Sequence, residues 1–144
     1  MEITVEALVD APVSRVWNAY VSPEEICVWN AASDDWHTVR AEVDLRDGGR
    51  FCSRMEARDG SFGFDFEGVY SRIEPHALIA YDMGERAAAV RFAPNGDATT
   101  IRIVFDAESE HPAEMQREGW QAILDSFKRH VERPVPVGAQ EDEQ

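Results

Sequence analysis

Lysine is nearly missing from this chain: Lys128 stands alone beside thirteen arginines. Basic residues of both kinds number 14 against 28 acidic ones, leaving a net charge of −14. Such a field repels phosphate backbones and anionic lipid surfaces, and the arginines are scattered rather than gathered into a patch, so neither nucleic acid nor membrane is expected as a partner. No stretch approaches the roughly 18 consecutive apolar residues that a spanning helix needs. Glu2 follows Met1 without the basic, apolar and small-residue segments of an export signal, so a cytoplasmic protein is expected. Cysteine is limited to Cys27 and Cys52, which do not form a CxxC pair and read as free thiols in a reducing compartment. The four histidines, at 37, 76, 111 and 130, match neither HxxxH nor HExxH. A metal site is therefore not expected. With no GxSxG elbow, phosphate-cradling glycine loop or Cys/His signature, the sequence calls for no cofactor.

What is present is organised around one C-terminal helix, His111 to Arg133. Met115, Trp120, Ile123, Leu124, Phe127 and Val131 recur mostly at three- and four-residue spacing and share a face. Glu114, Arg117, Gln121, Asp125, Lys128 and Glu132 lie opposite, suited to water. Pro112 fits the first turn and Pro134 ends the helix. About 30 Å of such a helix cannot cover its own aromatic side chains, so something wide and apolar must wrap it.

The rest of the chain supplies that wrapping. Ile3, Val5 and Ala7 alternate with polar residues as a first strand. Pro12 opens a helix with Val13, Val16, Trp17 and Tyr20 on one face. Ser22-Pro23-Glu24-Glu25 opens a second, with Ser22 as cap and Glu25 returning a bond to it. Trp29 to Trp36 is a loop whose two tryptophans either plug a core edge or line an opening. About six strands follow. A turn at Asp59-Gly60 sets Met55 opposite Phe64, Ser53 opposite Phe66 and, on the outer face, Arg54 opposite Asp65. The phase slip after Gly68 suggests a bulge there. A turn at Asn95-Gly96 sets Val90 opposite Ile101 and Ala88 opposite Ile103. Residues 1–133 read as a single domain and 134–144 as a flexible acidic tail.

This order resembles the helix-grip fold of the SRPBCC (START-like) superfamily, and within it the activator-of-heat-shock-ATPase homologue group. The resemblance rests on Ala11-Pro12-Val13-Ser14-Arg15-Val16-Trp17, the Trp29 to Trp36 loop, Asp47-Gly48-Gly49-Arg50-Phe51, Gly68-Val69-Tyr70 with Ile73-Glu74-Pro75, and Gly119-Trp120. It implies an α+β domain: a curved antiparallel sheet of about seven strands round the long C-terminal helix, with two short helices after the first strand and a central cavity. It does not imply a reaction, because the fold hosts ligand carriers, cyclases and protein-binding modules. The eukaryotic co-chaperone of the group carries a separate N-terminal domain that has no counterpart in this sequence, so the fold is carried over without the ATPase-activating activity.

The expected function is a cavity that holds a hydrophobic, apolar or aromatic small molecule, with no assigned reaction. The candidate ligand-binding residues are Trp29, Trp36, Phe51, Ser53, Met55, Phe64, Phe66, Trp120, Leu124 and Phe127, with Trp29, Trp36 and His37 near the mouth. The alternatives are a cyclase- or hydrolase-like enzyme using the same cavity, with His37 or Asp34 for proton transfer, and a co-chaperone-like protein-binding module with a filled core. Asp34 and Asp35 suit either a cavity mouth or a plain turn. Asp65 and Glu67 share a strand face that the register turns outward, beside Arg54 and Cys52. Oligomeric state is left open, a homodimer included.

Overall fold

The computed structural model describes residues 1–133, and the acidic tail expected over 134–144 lies outside the described residues. The elements run β1 (Glu2–Val9), α1 (Val13–Val21), α2 (Pro23–Trp29), β2 (Trp36–Val43), β3 (Arg50–Ala57), β4 (Gly63–Glu74), β5 (Leu78–Met83), β6 (Arg86–Asn95), β7 (Ala98–Asp106) and α3 (Ala113–Glu132). One antiparallel sheet holds all seven strands in the order β1-β7-β6-β5-β4-β3-β2. Strands β2 to β7 are each neighbours of the next in sequence, and α1 and α2 carry the chain from one sheet edge to the other. The result is the α+β helix-grip architecture that the pattern of elements predicts.

Strand alternation and helix period agree on one core. Ile3, Val5 and Val9 of β1, Ile101, Ile103 and Phe105 of β7, and Val90 and Phe92 of β6 are buried with Leu124, Phe127 and Val131 of α3. Trp120 lies flat on Phe105, ring centroids 3.9 Å apart and planes at 9°, but it stays half-buried because its other side borders open space. Met115, placed on the apolar face by spacing, is 56% exposed in the first turn of α3, outside the core.

The polar face of α3 departs from its expected solvated role. The Gln121 side chain donates Nε2–H to the Glu6 carbonyl (3.1 Å) and accepts the Glu6 N–H (3.4 Å). Lys128 Nζ donates to the Leu8 carbonyl (2.8 Å), and Glu132 accepts the Asp10 N–H (2.8 Å). Glu6, Leu8 and Asp10 are alternate residues, so these are the main-chain groups that β1 turns away from β7. Helix side chains thereby complete an edge that would otherwise offer unpaired donors and acceptors to another chain.

The β3–β4 register is as the sequence predicts: Met55 faces Phe64, Ser53 faces Phe66 and Arg54 faces Asp65. Arg54 Nη1 and Asp65 Oδ1 are 3.6 Å apart on the outer face. The β6–β7 register differs from expectation. Val90 pairs with Ile103 and Ala88 with Phe105, because both strands extend to Asn95 and Ala98 and Gly96, at φ +65°, takes the turn. A two-residue slip preserves the buried face, since side chains alternate with period two.

The bulge expected at Gly68 lies instead at Ser71, between the Tyr70–Tyr81 and Arg72–Ala80 pairs. Gly68 answers a different need: the Phe51 ring lies directly on it, and a Cβ there would stand 2.9 Å from the ring and 2.6 Å from the Asp82 carbonyl. Just upstream of β3, Gly48 N–H donates to the Tyr70 carbonyl (2.7 Å) and Tyr70 N–H to the Gly49 carbonyl (2.8 Å). Asp47 Oδ1 accepts the Ile73 N–H (2.8 Å). The Asp47-Gly48-Gly49 stretch and the Gly68-Val69-Tyr70 stretch are thus two halves of one latch.

Ser22 caps α2 by accepting the Glu25 N–H (3.4 Å), and Pro23 occupies the first position as expected. The Glu25 carboxylate does not return to the cap. It receives Arg15 of α1 (Nη1, 2.9 Å) and meets His130 Nε2 of α3 (2.8 Å), tying three helices together. Partial burial pushes this carboxyl up, but the hydrogen bonds and charges of Arg15 and His130 outweigh it and hold it below its ordinary value.

Three stability predictions follow from these contacts. Gln121→Ala should cost about 1 kcal/mol in urea melts, the worth of its two main-chain bonds; a loss under about 0.3 kcal/mol would show that the edge clasp contributes nothing. Gly68→Ala should cost roughly 1–3 kcal/mol through overpacking against Phe51 and a rigid carbonyl. Because the Glu25 carboxyl is depressed in the folded state, its contribution is full above the ordinary carboxylate pKa of about 4.3 and disappears as pH falls through the lower folded value. Glu25→Gln should therefore destabilise the protein at pH 7 and lose most of that effect near pH 3, measured by denaturant midpoints at the two pH values.

Candidate functional site

Along the sheet, the α3 backbone comes closest to β1, so the helix is fastened at one edge while the sheet curls away toward β3–β5. Between them lies a cavity of about 710 Å³. Its walls are Phe51, Ser53 and Met55 from β3, Phe64, Phe66 and Tyr70 from β4, and Ile79 and Tyr81 from β5. The helices contribute Tyr20, Ile26, Trp29 and Asn30 at one end, and Gln116, Trp120, Ile123, Leu124 and Phe127 along the roof. Arg86, Glu108, Glu110 and His111 stand on the open side.

Nine of the ten residues named from the sequence as candidate ligand contacts border this space: Trp29, Phe51, Ser53, Met55, Phe64, Phe66, Trp120, Leu124 and Phe127. They meet because the β3–β4 register puts Ser53, Met55, Phe64 and Phe66 on one face, opposite the Trp120–Leu124–Phe127 seam of α3. Trp29 belongs to the end of α2 rather than to a loop. Its Nε1–H donates to the Ala19 carbonyl (2.9 Å), and its ring sits between Tyr20 and Phe127.

Trp36, Asp34 and His37 are not at the cavity. They border a shallow polar pocket of about 100 Å³ behind α2, with Arg58 and Arg129. The inward side chain of that stretch is Thr38, whose hydroxyl donates to the Asn30 carbonyl, and the strand alternation turns His37 away. Arg58 donates Nε–H to the Asp34 carbonyl and its own N–H to the Asp35 carbonyl, both at 2.8 Å. The Asp34–Asp35 pair thus serves a turn through its main chain, with both carboxylates exposed. Trp36 packs edge-on to Phe62 (6.0 Å) and Phe64 (5.8 Å), at the outer rim. Asp65 and Glu67 lie on the outer face, as the register predicts; burial first, then the charges of Asp65, Glu67 and Glu42, push the Cys52 thiol up and disfavour its thiolate.

Among the wall residues that the sequence reading did not name as ligand contacts, three tyrosines stand out. Tyr20, Tyr70 and Tyr81 face the cavity, and burial, reinforced for each by a neighbouring phenol or carboxyl, raises all three phenols and keeps them neutral. In an alternating strand Tyr reads like Phe, and the available signal was the choice of the residue with a polar tip at inward positions. On the open side, Gln116 donates Nε2–H to the Glu108 and His111 carbonyls (3.0 and 2.8 Å), fixing the loop before α3. Glu108, Glu110 and His111 bring potential metal-ligating atoms within 4.8 Å of one another. Glu108 already accepts the main-chain N–H of Glu110 and of His111 and contacts His111 Nδ1 at 2.8 Å, so the group reads as a folded loop rather than a waiting donor set.

No curated protein matches the chain. Solved structures do. An AHSA1-like protein from Aeromonas hydrophila is 42% identical, with a TM-score of 0.86 over 94% of this chain and 99% of its own. A protein from Cytophaga hutchinsonii is 41% identical, with a TM-score of 0.78 over 94% and 98%. One from Chromobacterium violaceum is 25% identical, with a TM-score of 0.83 over 93% and 99%. The family model described as Activator of Hsp90 ATPase homolog 1-like protein matches residues 10–132, from the start of α1 through the latch to the end of α3. The chain therefore belongs to the Activator of Hsp90 ATPase homolog 1-like family of the SRPBCC helix-grip superfamily.

Proposed function

We propose that this protein binds one small, largely apolar molecule in the cavity between α3 and the sheet. The observation that carries the reading is the cavity itself. Protein interiors pack to the density of organic crystals, and aromatic side chains at inward positions normally close on one another. Here such side chains surround about 710 Å³, within the ~300–1,000 Å³ typical of ligand sites.

An enzymatic role would need an acid–base pair facing this space. The residues considered for it, Asp34 and His37, border the other pocket, and the Glu108–His111 pair at the open side is engaged with its own loop N–H groups. Deep in the cavity the polar groups are phenols, the Ser53 hydroxyl and the Asn30 amide, none charged at neutral pH. A second reading, a protein-binding module, is favoured by one feature: Phe62 is 62% exposed and Phe64 40% exposed, beside Trp36, forming an aromatic patch at the β3–β4 hairpin. The family description, which refers to activation of the Hsp90 ATPase, is in keeping with that second reading.

Native mass spectrometry of gently purified protein should reveal a co-purified mass of a few hundred daltons. Ser53→Phe, which places a ring in the cavity from a buried wall position, should abolish that mass while the protein stays folded by circular dichroism. Absence of any bound mass, together with no melting shift across a panel of aromatic and acyl compounds, would leave the aromatic patch as the functional surface.

A further inference from the structure

The walls carry information about the ligand as well as about its presence. We infer that the ligand is uncharged, with a hydrogen-bond-accepting oxygen on an otherwise apolar, ring-like body, and that Tyr20, Tyr70 and Tyr81 are the residues that select it. The inference rests on the binding reading above.

Tyr70 and Tyr81 are 6% and 5% exposed, and all three tyrosines border the cavity. Among the described residues no protein group hydrogen-bonds their hydroxyls, while no fully buried polar side-chain atom lacks a partner, so the hydroxyls open onto the cavity. Tyr70 and Tyr81 are cross-strand partners that both pack on the Phe51 ring (5.1 and 4.9 Å), and Tyr20 borders the same space. A hydroxyl facing an apolar space without a partner carries a desolvation cost that a ligand acceptor recovers. Each phenol has a single proton to donate, and three donors around one space favour a carbonyl or ether oxygen over a further donor.

Charge argues against an anion. The open side presents Glu108 and Glu110 against one arginine, Arg86, whose Nη1–H already donates to the Asp106 carbonyl (3.2 Å). His111 is held by Glu108 (2.8 Å), and Glu108 stays ionised because His111 and the loop N–H groups outweigh its desolvation. Deeper in, the burial that holds the phenols neutral acts equally on a carboxylate; Arg86, the one arginine of the lining, reaches Tyr81 with its charge but offsets less than burial costs there. A fatty acid therefore fits the volume and meets a net desolvation cost inside it.

Three probes of matched size separate these ideas: 1-acetylpyrene, 1-ethylpyrene and 1-pyrenecarboxylate, titrated into the full chain at pH 7 with energy transfer from tryptophan as the signal. The ketone should bind about tenfold or more tighter than the carboxylate. Tyr70→Phe and Tyr81→Phe should each weaken the ketone ~3–10-fold and leave the hydrocarbon within about twofold. The same variants should melt no lower than the parent, because the lost hydroxyl has no protein partner. A carboxylate that binds as tightly as the ketone, above all one that is lost with Arg86→Met, overturns the inference. So do Phe variants that weaken ketone and hydrocarbon alike, or that melt lower. Energy transfer to none of the three probes defeats the binding reading itself.

Discussion

The structure depends on how α3 is attached. Gln121, Lys128 and Glu132 grip the outer main chain of β1, and Trp120, Leu124 and Phe127 press on the neighbouring core. A helix fastened along one edge of a curling sheet cannot also lie against the far strands. The gap under Trp120 and Ile123 follows from that geometry. Filling it would require either larger residues at Ser53 and Ile79 or a helix moved off β1, and the second move sacrifices the contacts that hold the fold. The cavity is a by-product of edge attachment, and its walls are largely aromatic.

Much of this was legible from residue order. Alternation and turn residues fixed β3–β4 to the residue, because Asp59-Gly60 and the Arg54–Asp65 pair agreed on one register. Nine wall residues followed from that register and the helix period. The errors share a cause. His37 reads as near the mouth because it follows Trp36, and Asp34, just before it, suits a mouth or a plain turn; the structure gives the turn, where Arg58, a residue from a different hairpin, holds the Asp34 carbonyl. Gln121 and Lys128 read as solvent-facing because a helical wheel records only the helix and not the strand edge beside it. The tyrosines were hidden for the reason that makes them informative: a phenol has the shape of a core residue and differs only at its tip.

The residues that identify the family are mostly structural. Asp47, Gly48 and Gly49 bond to the backbone of Tyr70 and Ile73, and Gly68 makes room for Phe51. A match on these positions certifies the latch between β2–β3 and β4. It says little about what fills the cavity, since phenol and phenyl groups are interchangeable as far as the latch is concerned. The latch and the cavity wall are therefore built from different groups of the same strands.

The clasp on β1 also sets a limit on self-assembly. A strand edge whose main chain is occupied from Glu6 to Asp10 cannot accept another strand over that stretch. At the opposite edge β2 carries a bulge near Val39 and the exposed Arg40 and Glu42, features that discourage pairing in another way. The side chains that hold the roof over the cavity thus also guard the second half of β1 against main-chain pairing with another chain.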